Sequence, residues 1–322
     1  MRVRSVFAAL VPLLVAALAA PAAAQPKVTL VFSSGPTGGS WIPLAGATAE
    51  IVKKRFPELD VQVEPGAALV NMEKIRTDKA DLGWSMTNVL YDARTGRGQW
   101  AGKATDRALY VATMYPNVWQ LVVPAASDIR TVRDLRGKPV ALPARGNTSL
   151  ADGWENVLRV NGMKLEDLGP KSYGPIAANA EAMKNRQALA VGWFTTVPAS
   201  FILDLGSVMK LRMIPVSDQE FAELQKINPG FVRHVLKAGT YGEQGIEGDV
   251  ATFQSPTILV ASARTPEEVV YKITKAIVEG RAEFVHVTKA MAGITPQEMG
   301  RDYGLPYHPG AARYYREIGV LK

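Results

Sequence analysis

The chain has 322 residues and no cysteine among them. Disulfides, thiolate metal sites, cysteine nucleophiles and a lipid-modified N-terminal cysteine are excluded. A domain of this size can bury a core without such staples. Histidine is nearly as scarce. His234, His286 and His308 are the only three, and no H-E-x-x-H or other ligand spacing joins them. A G-x-S-x-G nucleophile elbow is missing as well. Carboxylate pairs such as Glu267-Glu268 and Glu166-Asp167 fall on predicted surface helices, where the positive helix N-terminus explains them. With no catalytic constellation, no enzyme is expected, and neither a cofactor nor a metal ion is implied. Beyond the N-terminus no run of about 18 apolar residues occurs, so no later span is expected. No internal repeat at a period of about 20 to 50 residues is visible, which argues against a solenoid or propeller.

What is present is ordinary for a globular chain: 47% hydrophobic and 21% charged residues. Arg2 and Arg4 precede the apolar stretch from Val6 to Ala20, and Pro21-Ala22-Ala23-Ala24 follow. A charged start, an apolar middle and small residues at the end describe a signal peptide. Residues 1–24 are therefore expected to be removed after Ala24, leaving a free, exported chain; a membrane anchor is the alternative. Removing Arg2 and Arg4 lowers the formal charge from +7 to +5. The remaining basic residues are scattered. The densest cluster, Lys53-Lys54-Arg55, reads as the solvated face of an amphipathic helix. No basic stripe interleaved with aromatics points to nucleic acid.

Short apolar runs alternate with helical periodicity. Val28 to Phe32 predicts a buried strand, and Leu44, Ala47, Ile51, Val52 and Phe56 predict a helix that Pro57 ends. Further strands are predicted at Val61–Glu64, Ala80–Ser85, Leu109–Tyr115, Val118–Val123, Ala188–Phe194, Leu211–Val216 and Pro256–Ser262. Helices are predicted at Asn71–Thr77, Glu267 to about Val287, and Pro309–Ile318. The pattern is α/β, with a mostly parallel sheet as the natural inference. A second strand–corner–helix unit near residue 140 suggests a second lobe, and hence a cleft between two lobes.

The first corner, "SSGPTGGSW" at residues 33–41, carries Gly35, Gly38 and Gly39. Glycine lets backbone approach a ligand closely, and a helix start exposes unpaired N–H groups at its positive end. Such a corner favours an anion. A nucleotide fits poorly: Ser40-Trp41 follow the glycines in place of Lys-Ser/Thr, and the G-x-G-x-x-G spacing is absent. The open readings are a carboxylate site or a plain tight turn. Ligands of open α/β sheets sit beyond the carboxyl ends of strands. The polar residues at such positions are Ser34, Thr37, Asn71, Thr87, Asn88, Asn147, Thr148 and Thr195. Trp41, Trp84 and Trp193 lie nearby in the same scheme, as core or as cleft wall. Arg145 precedes the second corner as a candidate anion contact, with a surface ion pair as its plainer role.

The stretches "SSGPTGGSWIPLAGATAEIV", "ALVNMEKIRTDKADLGWSMTNVLYDARTG", "MYPNVWQLVV", "IRTVRDLRGKPVAL", "KAGTYGEQ" and "LPYHPGAARYYREIGVLK" resemble the TAXI family of solute-binding receptors for TRAP transporters. The resemblance runs from about residue 27 to the C-terminus. It implies a two-lobed periplasmic binding protein of type II, with hinge strands and a ligand between the lobes. It implies delivery of a small carboxylate or amino acid to a TRAP membrane permease, by a monomer. The lobes are expected at residues 25–117, 118–240 and, on the chain's return to the first lobe, 241–322. By position it assigns ligand contacts to Ser34, Gly35, Thr37, Gly38, Gly39, Trp41, Asn71, Thr87 and Asn88 in the first lobe. Arg145, Asn147, Thr148, Phe194 and Thr195 would face them from the second. The sequence departs from the family at Trp41-Ile42 and Met86-Thr87-Asn88, which implies a solute less polar or larger than glutamate. The alternatives are a ligand sensor for a membrane signalling protein and, from another class, an exported α/β hydrolase.

Overall fold

The apolar runs and amphipathic segments fold into two sheets, each covered by helices. A computed structural model describes residues 27–35, 40–144 and 148–322, with 148–151 described by backbone alone. The chain begins with β1 (Val28–Ser33), α1 (Trp41–Arg55), β2 (Leu59–Glu64), α2 (Ala68–Arg76), β3 (Leu82–Met86), α3 (Thr87–Thr95) and β4 (Ala108–Tyr115). It then crosses to β5 (Val118–Pro124), β6 (Val140–Pro143), α4 (Thr148–Val160), β7 (Lys171–Gly174), α5 (Ile176–Lys184) and β8 (Ala190–Thr195). The second lobe continues with α6 (Ser200–Gly206), β9 (Leu211–Met213), α7 (Asp218–Ile227), β10 (Val232–Leu236) and β11 (Val250–Gln254). The return brings β12 (Thr257–Ser262), α8 (Glu267–Glu279), α9 (Pro296–Met299) and α10 (Pro309–Glu317).

The first sheet has the order β2-β1-β3-β12-β4, and the second β10-β11-β5-β8-β6-β7 with β9 alongside β5. In each, a βαβαβ unit forms three parallel strands, and one antiparallel strand flanks the third. β6, β7 and β8 take the places of β1, β2 and β3, and β5 takes the place of β12. Both sheets are therefore mixed rather than mostly parallel, because the strand that crosses between lobes runs against its neighbours. Strands β3 and β12 are buried at every position. That explains their unbroken apolar appearance in sequence: a strand covered on both faces has no solvent side to alternate with.

Two crossings join the lobes, at Pro116-Asn117 and at Ser255-Pro256. They are tied to each other: Ser255 N–H donates to Asn117 O at 2.9 Å, and Asn117 Nδ2 donates to Thr257 Oγ1. The second lobe retains the chain through Gln254, since β11 pairs with β10 and meets β5 at Val118. The return to the first lobe thus falls at residues 255–257, later than the expected 241.

One core packs α1, α8 and α10 against the first sheet, through residues such as Phe32, Leu44, Val52, Ile273 and Tyr315. Another fills the outer side of the second lobe. The largest cluster spans both lobes, joining Met72, Val89 and Leu90 to Trp119, Trp154 and Phe231. The expected helix from Glu267 to Val287 is shorter. It ends at Glu279, and Arg281–His286 tightens into a 3-10 turn after Gly280. Among the described residues no helix is long and apolar enough to cross a membrane.

Candidate functional site

The glycine corner begins where β1 ends. Ser34 is fully buried; its N–H and Oγ both donate to Glu64 O, at 2.9 and 2.7 Å. Gly35 O accepts from Gly66 N–H at 3.0 Å, which ties the corner to the end of β2. Thr37, Gly38 and Gly39 lie outside the described residues. Ser40 caps α1 with no side-chain bond to the helix. Pro43 lacks an N–H, so Trp41 and Ile42 present the free backbone donors of this first turn. Trp41 is half-buried and donates from Nε1 to Tyr115 Oη at 3.0 Å; Ser40 Oγ stands 3.3 Å from the same hydroxyl. The wall of the corner is therefore built by β4 as well, through a tyrosine that sequence position alone did not single out.

Asn71 was expected to touch ligand, but it is fully buried with its hydrogen-bonding capacity used inside the fold. Its Nδ2 donates to Ser34 O and Trp84 O, both at 2.7 Å. Its Oδ1 accepts from Ser33 Oγ at 2.7 Å and from Ala67 N–H at 3.1 Å. It braces the ends of β1 and β3 against the start of α2. Thr87 and Asn88 are likewise buried and bonded within the fold. Thr87 Oγ1 donates to Gly230 O at 2.6 Å, and Asn88 Oδ1 accepts from Ser255 Oγ at 2.5 Å. They form a seam between the lobes beside the crossing at 255. A Cβ on Gly230 would stand 2.6 Å from Asn88 Cα, so this close approach requires glycine.

Phe194 packs into an aromatic cluster rather than a cleft wall. It meets Trp119 at 5.2 Å and Phe253 at 5.3 Å between ring centroids, and stacks on Phe231 at 6.3 Å. A Cβ on Gly153 would meet Phe194 and Trp119 at 2.7 and 2.8 Å, so the cluster leaves no room beside α4. Trp84 is also core, donating from Nε1 to Trp41 O at 3.0 Å. Thr195 is half-buried at the end of β8. Arg145 and Asn147 lie outside the described residues, and Thr148 opens α4 with its side chain undescribed. Of the expected contacts that are described, Trp41 and Thr195 keep partial exposure. His308 is structural: its Nδ1 accepts from Gly310 N–H, capping α10, and Nε2 faces Thr265 O at 3.0 Å.

Between the lobes lies a cavity of about 960 Å³. The first lobe lines it with Leu69, Val89 and Asp92, the second with Asp152, Asn156 and Ile227. Burial pushes Asp92 up to about 6, against the opposing pull of a hydrogen bond with Asn228 and of the Arg97 charge. Asp152 is pushed up to about 7, first by burial and then by the charges of Glu155 and Asp92. Sequence reading passed over both acids, since a lone carboxylate on a helix reads as solvated. Among the described residues no group of three His, Asp or Glu side chains is arranged to hold a metal ion.

Two mixed α/β sheets, two crossings and a cavity lined from both sides define the fold of type II periplasmic binding proteins. PhnD1 from Prochlorococcus marinus, solved with methylphosphonate, shares it at a TM-score of 0.52 and 11% identity, over 91% of this chain and 99% of that one. Weaker likenesses include the alkanesulfonate-binding protein SsuA from Xanthomonas axonopodis pv. citri bound to MOPS (TM-score 0.45, 19% identity, 93% and 86% covered). Another is GshT of Streptococcus mutans, described for glutathione import with the cystine ABC importer TcyBC (TM-score 0.47, 13% identity, 83% and 93% covered). The chain belongs to the NMT1-like family, whose model matches residues 32–319.

That match corrects the resemblance to TAXI receptors and removes the TRAP permease as partner. The stretches that carried the resemblance have structural work in this chain. "SSGPTGGSW" turns β1 into α1, "DLRGKPVAL" leads a 3-10 turn into β6, and the C-terminal stretch supplies α10, which packs on α8.

Proposed function

We propose that the protein is an exported solute-binding receptor that closes its lobes over a small organic solute and presents the closed form to a membrane permease. The observation that carries this reading is the cavity lined by both lobes, joined through two short crossings. Contacts available only when the lobes are together shift the population toward closure, which gives a permease a shape to recognise. The signal-like residues 1–24 support export. The lobes of the proposal are residues 27–115 with 257–322, and 118–254.

The solute is proposed to carry an anionic group held where the corner enters α1, by the backbone N–H groups of Trp41 and Ile42, with Tyr115 beside it. None of the corner residues lines the cavity that holds Asp92 and Asp152, and the anionic group is assigned to the corner rather than to that cavity. Met86 is buried in the core and does not shape the site; Trp41-Ile42 carry the argument for a less polar body than glutamate.

A thermal-shift screen of protein stripped of retained ligand tests this, using carboxylates, amino acids, aromatic acids and sulfonates. A ligand at one hundred times its Kd stabilises by about 2.7 kcal/mol, a readable rise in Tm. At least one anionic class should raise Tm, and Trp41→Ala should weaken that ligand about tenfold. No shift with any of these anions would overturn the anion reading.

A further inference from the structure

We propose that Asp92 and Asp152 form a proton-operated latch between the lobes, holding them together when a proton is bound and driving them apart when both are ionised. The inference requires only that the lobes move, and is independent of what they bind. Asp92 lies on α3 of the first lobe and Asp152 on α4 of the second; both line the same cavity. Helix α3 starts at the hinge-side seam and runs outward at about 1.5 Å per residue, so Asp92 acts at a distance from the crossing.

The lobes already touch along this line. Asn228 Nδ2 donates to Asn88 O at 3.0 Å, Asn228 Oδ1 accepts from Gly230 N–H at 2.8 Å, and Asn228 lines the same cavity as Asp92, whose carboxyl pKa it helps to lower. Arg97 Nη1 donates to Ile227 O at 2.7 Å. Closure therefore sets Asp92 against the second lobe and removes water from it.

The surrounding charges do not neutralise the pair. From the first lobe, Arg97 faces Asp92 but is engaged with a backbone carbonyl and the Tyr91 ring. On α4, Glu155 adds a like charge beside Asp152, and Arg159 lies further along the helix. On α7, Lys226 is paired with Glu223 at 2.6 Å. Among the described residues no cation offsets the burial of Asp152.

The sign follows from linkage. With the lobes apart, both carboxyls regain water and return toward the ordinary value. With the lobes together, Asp92 is at about 6 and Asp152 at about 7. The closed form thus binds protons more tightly, so falling pH favours closure and rising pH through this range opposes it. The closed conformation also becomes harder to reach for any ligand at high pH, by reciprocity.

The test is the interlobe distance of the purified protein, read by paired spin labels on the two lobes without added ligand, from pH 5 to 8.5. Wild type should shift from closed to open with a midpoint between about 6 and 7. Asp152→Asn and Asp92→Asn should each lose at least half of the pH response, and the double variant should stay closed throughout. Circular dichroism confirms that each variant is folded. A wild-type distance that does not change with pH, or an Asp152→Asn profile that superimposes on wild type, overturns the latch.

Discussion

Asn71 shows how one side chain can fix a site without touching a ligand. Its amide bonds three buried groups, Ser34 O, Trp84 O and Ser33 Oγ, and the half-buried Ala67 N–H. Asn71→Ala should lower unfolding free energy by roughly 3 kcal/mol, because orphaned buried polar groups each cost about 1–3 kcal/mol. Urea denaturation reads this directly. A change below about 0.5 kcal/mol would mean that the brace is not needed. The sequence marked Asn71 as important because it opens a predicted helix beyond a strand end, but residue type alone does not reveal four partners drawn from three segments. Asp92 and Asp152 were illegible for a related reason. Their raised pKa values arise first from burial at the lobe boundary, which only the assembled fold creates, and neither is unusual within its own helix.

At the level of elements, the strands were the most legible, because β3, β4, β5 and β12 are continuous apolar runs that only a buried strand explains. Helix α3 was hidden. Its sequence, Thr-Asn-Val-Leu-Tyr-Asp-Ala-Arg-Thr, begins with residues that read as a polar strand end, and its Thr87 and Asn88 face the other lobe rather than solvent. Helix α7 carries a capping signal that was overlooked. Ser217 Oγ accepts from Glu220 N–H at 3.2 Å, and Glu220 Oε2 accepts from Ser217 N–H at 2.7 Å. Ser217→Ala should cost about 1 kcal/mol, the usual loss for an N-cap hydroxyl. Because α7 leads into the Asn228–Gly230 seam, hydrogen exchange at the start of this helix should rise in the variant while the first sheet stays protected.

For the whole molecule, two-lobed α/β organisation was readable from the repeated strand–corner–helix, whereas the internal symmetry was not. The two βαβαβ units are separated by 112 positions, from Val28 to Val140, and are matched in topology rather than in residues. The position of the second crossing was also missed, because β10 and β11 are half-exposed strands with weak apolar runs. Gly230→Ala tests the seam that this architecture creates. Its Cβ would be placed against the Asn88 backbone, which cannot swing aside as a side chain does. The lobes should separate, seen as a larger radius of gyration by small-angle scattering with unchanged secondary structure. An unchanged radius would show that the seam relaxes locally.

The order of the first sheet has a consequence for how the chain is made. β12 lies between β3 and β4, yet it is the last strand in sequence. Until residue 262 has been synthesised, the first lobe is a three-stranded sheet with an open place beside β3, and β4 has no strand to pair with. The N-terminal third of the protein therefore has no finished structure of its own to lock into while the rest is still emerging. A polypeptide so arranged stays threadable until nearly complete, the condition a translocation channel requires of its cargo.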